Sequence, residues 1–389
     1  MFAPVVIHRY TPTIAPAWGG GRSLATRKSD VIIVGAGIFG LSVAFALLQR
    51  GMAVVVLEAR QIGAGASGGI VGALSPHAPE RWNEKKEFQL KSLFFQQNFW
   101  REVQQASNME TTYARTGRLL PLPTLAAREL AIERSRGAAE HWQGRADWQL
   151  VDTADGWLAS EIMSCGCVRE TLSARLFPSE AIESLAAAVR ALGGEIVEET
   201  AVETIENGRV YSSSADFQAS SIVVAAGVAG FDLLKPLVGS APGSGVKGQA
   251  ALLAAPATGR EPLLFYDGVY IVPHGDNRVA VGSTSENRFD DAGNTDERLD
   301  SVIDTAQSLC PKLRAAKVLT RWAGVRPKAR KRDPMLGPVP GHSHVFVALG
   351  GFKIGFGIAP FAGKILADMI AGRSCDLPRS FGVESHMEI

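Results

Sequence analysis

Two stretches of this chain combine residue types and spacings suited to chemistry. The first is Gly35-x-Gly37-x-x-Gly40 in VIIVGAGIFG, followed 18 residues after Gly40 by Glu58. Gly35 suits a tight turn, Gly37 lets backbone approach a pyrophosphate, and Gly40 lets a helix pack on a strand. The free N–H groups and dipole opening that helix attract phosphate. A carboxylate closing the next strand accepts hydrogen bonds from ribose hydroxyls and repels a 2′-phosphate; the alternative for Glu58 is an exposed strand-end acid. Beyond it, ARQIGAGASGGIVGALSPH is glycine-rich enough to imply close backbone approach to a ligand. Ser67 in that loop suits either a phosphate contact or a turn cap. The second stretch is GGFKIGFGIAP, Gly350 to Pro360, in which four glycines and a single charge, Lys353, interrupt an apolar run.

The elements around these stretches follow from periodicity. DVIIVGAG reads as a buried parallel strand, IFGLSVAFALLQRG as a helix closed by Gly51, and AVVVLE as a second strand, making a βαβ unit. EFQLKSLFFQQNFWREV is a helix with Phe88, Ser92, Phe95 and Phe99 on one core-facing side. AIESLAAAVRALGGEIV repeats helix then strand, with Ile182, Leu185, Ala186 and Val189 inward. AVETIENGRVYSSS forms a hairpin around Asn207–Gly208, and SIVVAAG another buried strand. LLFYDGVYIVPHGDNRVAVGSTSE alternates as an antiparallel sheet does, with DERLDSVIDTAQSLCPKL as a helix on it. HVFVALGG and APFAGKILADMIAG close the chain with a buried strand and a helix.

The fold class expected is therefore α/β plus α+β: a Rossmann-like dinucleotide-binding domain of discontinuous segments (30–110, 170–235 and 320–389) and an inserted antiparallel-sheet substrate domain (111–169 and 236–319). Two domains suit 389 residues. Residues 1–29 carry Arg9, Arg22, Arg27 and Lys28 without an acid and read as a flexible tail or a weak targeting segment. A formal charge of +1 gives no global attraction to nucleic acid or anionic membrane, and no run is apolar enough to span a bilayer. Four cysteines are too few for a disulfide framework, and Cys165-x-Cys167 lacks the second pair a metal site needs, so no metal is expected and the cytoplasm is the expected compartment.

These blocks, taken in order with VKGQ, VYIVP, RWAGVRP and DPMLGPVP, resemble the D-amino-acid oxidase superfamily of FAD enzymes, in its glycine oxidase, sarcosine oxidase and D-amino acid dehydrogenase branch, from about Asp30 to Gly372. The resemblance implies that Gly35, Gly37, Ile38, Phe39 and Gly40 surround the FAD pyrophosphate and that Glu58, with Ala59 beside it, holds the adenosine ribose. Ala66, Ser67, Gly72, Ala73 and Leu74 line the route to the flavin, Val202 contacts adenine through its backbone, and Ala226–Gly227 close around the cofactor. Gly351, Phe352, Ile354, Gly355, Phe356 and Gly357 form a loop along the flavin, whose N–H groups approach the pyrimidine edge. The bland alternative is a glycine-rich strand-to-helix turn. RPKARKRDP has no cysteine where sarcosine oxidases attach flavin, so non-covalent FAD is expected.

The same resemblance implies the activity: oxidation of the C–N bond of a small amino acid or secondary amine by hydride transfer to flavin N5, giving an imine that hydrolyses to an oxo acid and ammonia or an amine. Oxygen, a quinone or another electron-transfer partner accepts the electrons. Arg326 matches the family's carboxylate-binding arginine, whose planar fork engages both oxygens; the alternative is a domain-bridging salt bridge. Tyr270 matches a tyrosine that assists at the carboxylate; the alternative is a core aromatic. Lys353 and Gly351 stand where glycine oxidase-like chains commonly carry arginine and histidine. Lys353 is a second carboxylate contact, a charge beside the flavin, or a surface lysine. His77 and His274 read as turn or surface histidines. Two other activities stay open: removal of a carboxymethyl group from a tRNA wobble base, to which ASGGIVGALSP and the basic KARKR (Lys328–Arg332) point, and membership of a heteromeric opine or sarcosine dehydrogenase. Nucleic acid is the less expected partner, given the neutral charge; a homo-oligomer is also compatible.

Overall fold

The computed structural model describes residues 27–154, 156–206, 208–212 and 214–387. In chain order its elements are β1 (Arg27–Val34), α1 (Ile38–Leu48), β2 (Val54–Leu57), β3 (Ala73–Leu74), α2 (Glu84–Ser107), β4 (Arg118–Pro121), α3 (Leu125–Trp142), β5 (Trp148–Val151), β6 (Cys167–Glu170), β7 (Ala174–Arg175), α4 (Pro178–Ala191) and β8 (Glu195–Val197). There follow β9 (Val202–Glu206), β10 (Arg209–Ser212), β11 (Asp216–Val224), α5 (Ala229–Val238), β12 (Gly243–Ala254), β13 (Leu263–Tyr266), β14 (Val269–Gly275), β15 (Arg278–Gly282), α6 (Glu297–Leu309), β16 (Lys317–Ala329), β17 (Met335–Val339), β18 (His342–Leu349), α7 (Gly355–Ile370) and α8 (Val383–Met387).

One sheet runs β17-β18-β11-β1-β2-β8, with the β9–β10 hairpin attached to β11. Its members from β18 to β8 are parallel. β1 shows why such strands are apolar at every position. Val31 and Ile33 pack under α1, α4 and α7, while Ile32 and Val34 pack on the opposite side, so neither face meets water. α1 is buried nearly all round. α7 lies close against it because residue 363 is glycine: a Cβ there would stand 2.7 Å from Ser42 O.

The second sheet runs β16-β12-β15-β14-β13-β4-β6-β5. α6 covers one face, burying Leu299, Ile303 and Ala306 on Ala251, Ile271 and Val281. The other face carries Ala250, Leu252, Val272 and Ala280, and packs on Ile70 and Phe177. This face meets the segment that follows the dinucleotide-binding glycines, so the two sheets come together here.

Four expectations need correction. Residues 27–29 belong to β1, paired with β11, rather than to the tail expected over 1–29; the rest of that tail lies outside the described residues. Residues 320–329 belong to the second sheet, because β16 pairs with β12 from Ala329 to Lys317. The second sheet contains one parallel pair, β13 with β4. Finally, α7 begins at Gly355, so Gly355, Phe356 and Gly357 form its first turn instead of belonging to the loop before it. No helix among the described residues is long and apolar enough to cross a membrane.

Candidate active site

The chain leaves β1 through Gly35, at φ +108°, and enters α1 with Gly37 as N-cap. A Cβ at Gly35 would lie 2.6 Å from Ala225 O, and one at Gly40 would lie 1.9 Å from Gly35 O, so turn and helix pack backbone to backbone. Around Gly37 only the Ser67 side chain comes near, with Oγ 3.1 Å from a Cβ position. Ser67 stands in a short 3₁₀ turn, Ala66–Gly68, and its Oγ accepts from Ile38 N at 3.0 Å, leaving its own proton to donate. Glu58 is no solvated strand-end acid. Its Oε2 accepts from Ala36 N at 2.8 Å and its Oε1 from Arg60 N at 3.0 Å, while Ala59 is exposed beside it. Thr200, whose N donates to Glu58 O at 2.8 Å, leads into Val202 at the start of β9. Across the cradle, Ala226 and Gly227 follow β11, and a Cβ at Gly227 would meet nothing within 4 Å. Open space over Gly37 and Gly227, the N-terminal end of α1 and a carboxylate at the next strand end fit a dinucleotide.

Downstream, Gly72 (φ +63°) is required by packing, since a Cβ would stand 1.8 Å from Leu176 O. Ala73 and Leu74 pair as β3 with β7, and the Leu74 side chain is in the core. Gly351 lies on Phe39, whose Cε2 would be 2.5 Å from an added Cβ; this contact joins the late glycine segment to the first one. Phe352 takes φ +43° and its N donates to Pro327 O at 3.0 Å, seating the loop beside Arg326. Ile354 N closes back on Gly351 O at 2.8 Å and the helix starts at the next residue. Pro360 lacks the N–H that Phe356 O expects in a helix. α2 supplies replacements: Gln96 Nε2 donates to Phe356 O (3.1 Å) and Gly357 O (3.0 Å), and Ser92 Oγ donates to Gly357 O (2.7 Å). Trp100 Nε1 holds Gln96 Oε1 at 2.8 Å. Ser92, expected as plain core packing, is thus a polar support for the first turn of α7, as is Gln96.

Strand register assembles the second half of the site. Trp322, Ala250, Gly282, Tyr270 and Phe265 are successive cross-strand partners and share one face of the second sheet. Arg326 is on that face too, four residues from Trp322. Its side chain leans back over Gly248, where an added Cβ would stand 2.0 Å from its guanidinium. Gly248 is thereby some two residues along and two strands across from Tyr270, about 12 Å between backbone positions. Val71 reaches the sheet between them, because a Cβ at Gly282 would meet Val71 Cγ2 at 2.8 Å. Arg326 Nη1 donates to Thr284 O (3.1 Å) and Nη2 to Ser283 Oγ (2.7 Å), and among the described residues Arg326 forms no salt bridge. Tyr270 is half-buried, with its hydroxyl bound to Arg118 rather than lost in apolar packing.

The loop holding Arg326 is pinned from beneath. Gln249 N donates to Thr284 Oγ1 at 2.9 Å, and Gln249 Nε2 reaches Glu286 and Asp296, both at 2.9 Å. Burial raises the Glu286 pKa, but hydrogen bonds from Thr284 and Gln249 and the charges of Lys247 and Arg298 leave it below the ordinary value. Desolvation brings Arg326 down to about 10, with the Glu286 charge opposing. Lys353 is exposed by surface area, yet desolvation of its amine by the atoms around it and then the Arg326 charge lower its pKa. Lys353 has no ion pair among the described residues; its Nζ lies 5.7 Å from the Phe352 ring. His274 is neither a turn nor a surface residue: it is buried, and its Nε2 lies 3.1 Å and 3.0 Å from the carbonyls of Ile70 and Val71. Burial first, then Arg175, pushes it down to about 3, so it is neutral and ties down the 66–74 segment. His77 is lowered by burial and bonded to Gln89. In the basic run, Lys328 Nζ binds Asn287 Oδ1 (2.9 Å) and Arg330 Nη2 binds Ser240 Oγ and Ala241 O (both 3.0 Å), so these charges serve the chain's own loops.

Comparison with known proteins identifies the family. The family model described as FAD dependent oxidoreductase (DAO) matches residues 30–369. Glycine oxidase of Pseudomonas putida is 29% identical over 356 residues, covering 89% of this chain and 95% of that protein. Glycine oxidase of Bacillus licheniformis is 27% identical over 372 residues, covering 89% and 94%. The crystal structure of glycine oxidase from Geobacillus kaustophilus superposes with a TM-score of 0.82 at 23% identity, covering 92% of this chain and 99% of that one. The chain belongs to the FAD-dependent oxidoreductase family of the D-amino-acid oxidase type.

Proposed function

We propose that this chain, with FAD bound non-covalently, oxidises the C–N bond of a small amino acid or secondary amine bearing an α-carboxylate; the relatives it resembles are named glycine oxidase. The observation that carries this reading is Arg326: a guanidinium that forms no salt bridge among the described residues, accommodated by Gly248, on the sheet face that also bears Tyr270 and meets the cofactor segment. FAD, when bound, supplies the two-electron acceptor chemistry that amino acid side chains lack. Gly35, Gly37, Ile38, Phe39, Gly40, Ser67, Glu58 and Gly227 are the residues that would hold it, and the N–H groups of the first turn of α7 would be donors for its ring.

Arg326 then receives the substrate carboxylate and Tyr270 donates a hydrogen bond to it, which fixes the α-carbon. His274 does not serve as a base here, since its Nε2 is bonded to two carbonyls. The charges of Arg326 and Lys353 instead disfavour the substrate ammonium and promote the neutral amine. Water later hydrolyses the imine product. Anaerobic mixing of the holoenzyme with glycine, sarcosine, D-alanine and L-proline tests this: bleaching of the visible flavin band by at least one of them supports the reading, and no bleaching by any small amino acid overturns it.

A further inference from the structure

Tyr270 is also held from the side away from Arg326. Arg118, on β4, directs Nη1 to Tyr270 Oη at 3.2 Å, and its Nε lies 3.1 Å from Glu170 Oε1 on the neighbouring β6. Arg118 is 5% exposed and Glu170 wholly buried. The carboxylate is fully engaged. Its Oε2 accepts from Leu172 N (2.7 Å) and Ser173 N (2.9 Å), and its Oε1 also meets the Ser173 hydroxyl. Ser173 Oγ continues to Ser75 Oγ at 2.9 Å, just past the β3 end of the cofactor segment.

A guanidinium has only donors, so the phenol oxygen must accept from Arg118, and its one proton is left for another partner. We propose that Arg118, fixed by Glu170, is a positioning residue that turns the Tyr270 hydroxyl into a dedicated donor for a substrate carboxylate oxygen. This rests on the function proposed above. It assigns the pocket a chemical preference at Tyr270: an anionic acceptor is taken and a donating group, such as a carboxamide nitrogen, is refused. Burying an ion pair beside an otherwise apolar strand is expensive in solvation, and fixing the orientation of one hydroxyl gives that pair a purpose beyond packing.

The test is a double-mutant cycle on the holoenzyme, reading the dissociation constant of acetate from its perturbation of the visible flavin spectrum, together with kcat and KM for the best amino acid. Arg118→Met combined with Glu170→Gln removes both charges without leaving a buried orphan. It is expected to weaken acetate and raise KM by about tenfold, the scale of one charge-assisted hydrogen bond, with kcat little changed. In a Tyr270→Phe background the same pair should add less than about twofold. If the pair fails to retain FAD, Arg118→Lys supplies the cycle instead, with a smaller loss that again vanishes in Tyr270→Phe. Unchanged acetate affinity, or an undiminished loss in the Tyr270→Phe background, overturns the inference. An enzyme that oxidises amino acids yet ignores Arg118 rejects this inference alone, whereas a holoenzyme that no amino acid reduces rejects the function beneath it as well.

Discussion

Gly248 and Arg326 fit as a gap and its occupant: a Cβ on Gly248 would stand 2.0 Å from the Arg326 guanidinium nitrogens. Gly248 pairs with Gly324, so both strands are bare where the arginine folds back toward Tyr270. The site therefore depends on which residue is missing a side chain as much as on which carries one.

Gly248→Ala follows directly. The obstructing atoms are the far end of a flexible side chain, so the sheet survives and Arg326 gives way. KM for the amino acid should rise about tenfold or more, with FAD content and melting temperature near wild type. Unaltered KM would mean the arginine has no fixed role.

Gly40→Ala places a Cβ 1.9 Å from Gly35 O, which as backbone cannot step aside. We expect loss of FAD retention and about 2–3 kcal/mol of stability. Calorimetry with and without added FAD, beside an FAD-binding measurement, checks both; a variant purified with full FAD would contradict the assigned cradle.

Gln96→Leu strips two carbonyls at the start of α7 of a donor, costing about 1–3 kcal/mol and weakening FAD binding. Pro360→Ala restores the amide that Phe356 O lacks, so the double variant should recover part of the loss. Equal defects in the single and double variants would show that Gln96 does not stand in for the missing N–H.

His274 gives a pH dependence of definite sign. Burial and Arg175 depress its folded pKa to about 3, so between the unfolded value of 6.5 and 3 the unfolded chain binds more protons. The contribution of neutral His274 is complete above the unfolded value and is lost as pH falls through this window, by up to about 1.4 kcal/mol per pH unit. Urea unfolding at about pH 7.5 and about pH 5 should show a shallower loss for His274→Gln than for wild type. Identical pH profiles would contradict the assignment.

The dinucleotide half was legible because its signals are local: Gly35, Gly37, Gly40 and Glu58 lie within one βαβ unit, and Arg326 and Tyr270 stand in short motifs. Arg118 and Glu170 were not, because nothing near them in sequence reveals that β4 pairs parallel with β13 and brings Arg118 to Tyr270, 152 positions later. Ser92 and Gln96 left a fainter trace. Two polar residues one helical turn apart on an aromatic face, together with a proline inside a later helix, imply a carbonyl to be satisfied. His274 misled because its Gly-Asp-Asn turn neighbours suggest surface, whereas strand alternation turns it inward against Phe177 and Val71.

The most direct test of the account is the discrimination between an amino acid and the same amine without its carboxylate. Anaerobic reduction of the bound flavin should be followed for glycine against methylamine, or for the best substrate of the panel against its decarboxylated counterpart, in wild type and Arg326→Met. The account predicts that wild type favours the acid by about a hundredfold or more and that Arg326→Met loses most of this preference. A preference that survives in Arg326→Met, or a wild type indifferent to the carboxylate, would contradict it.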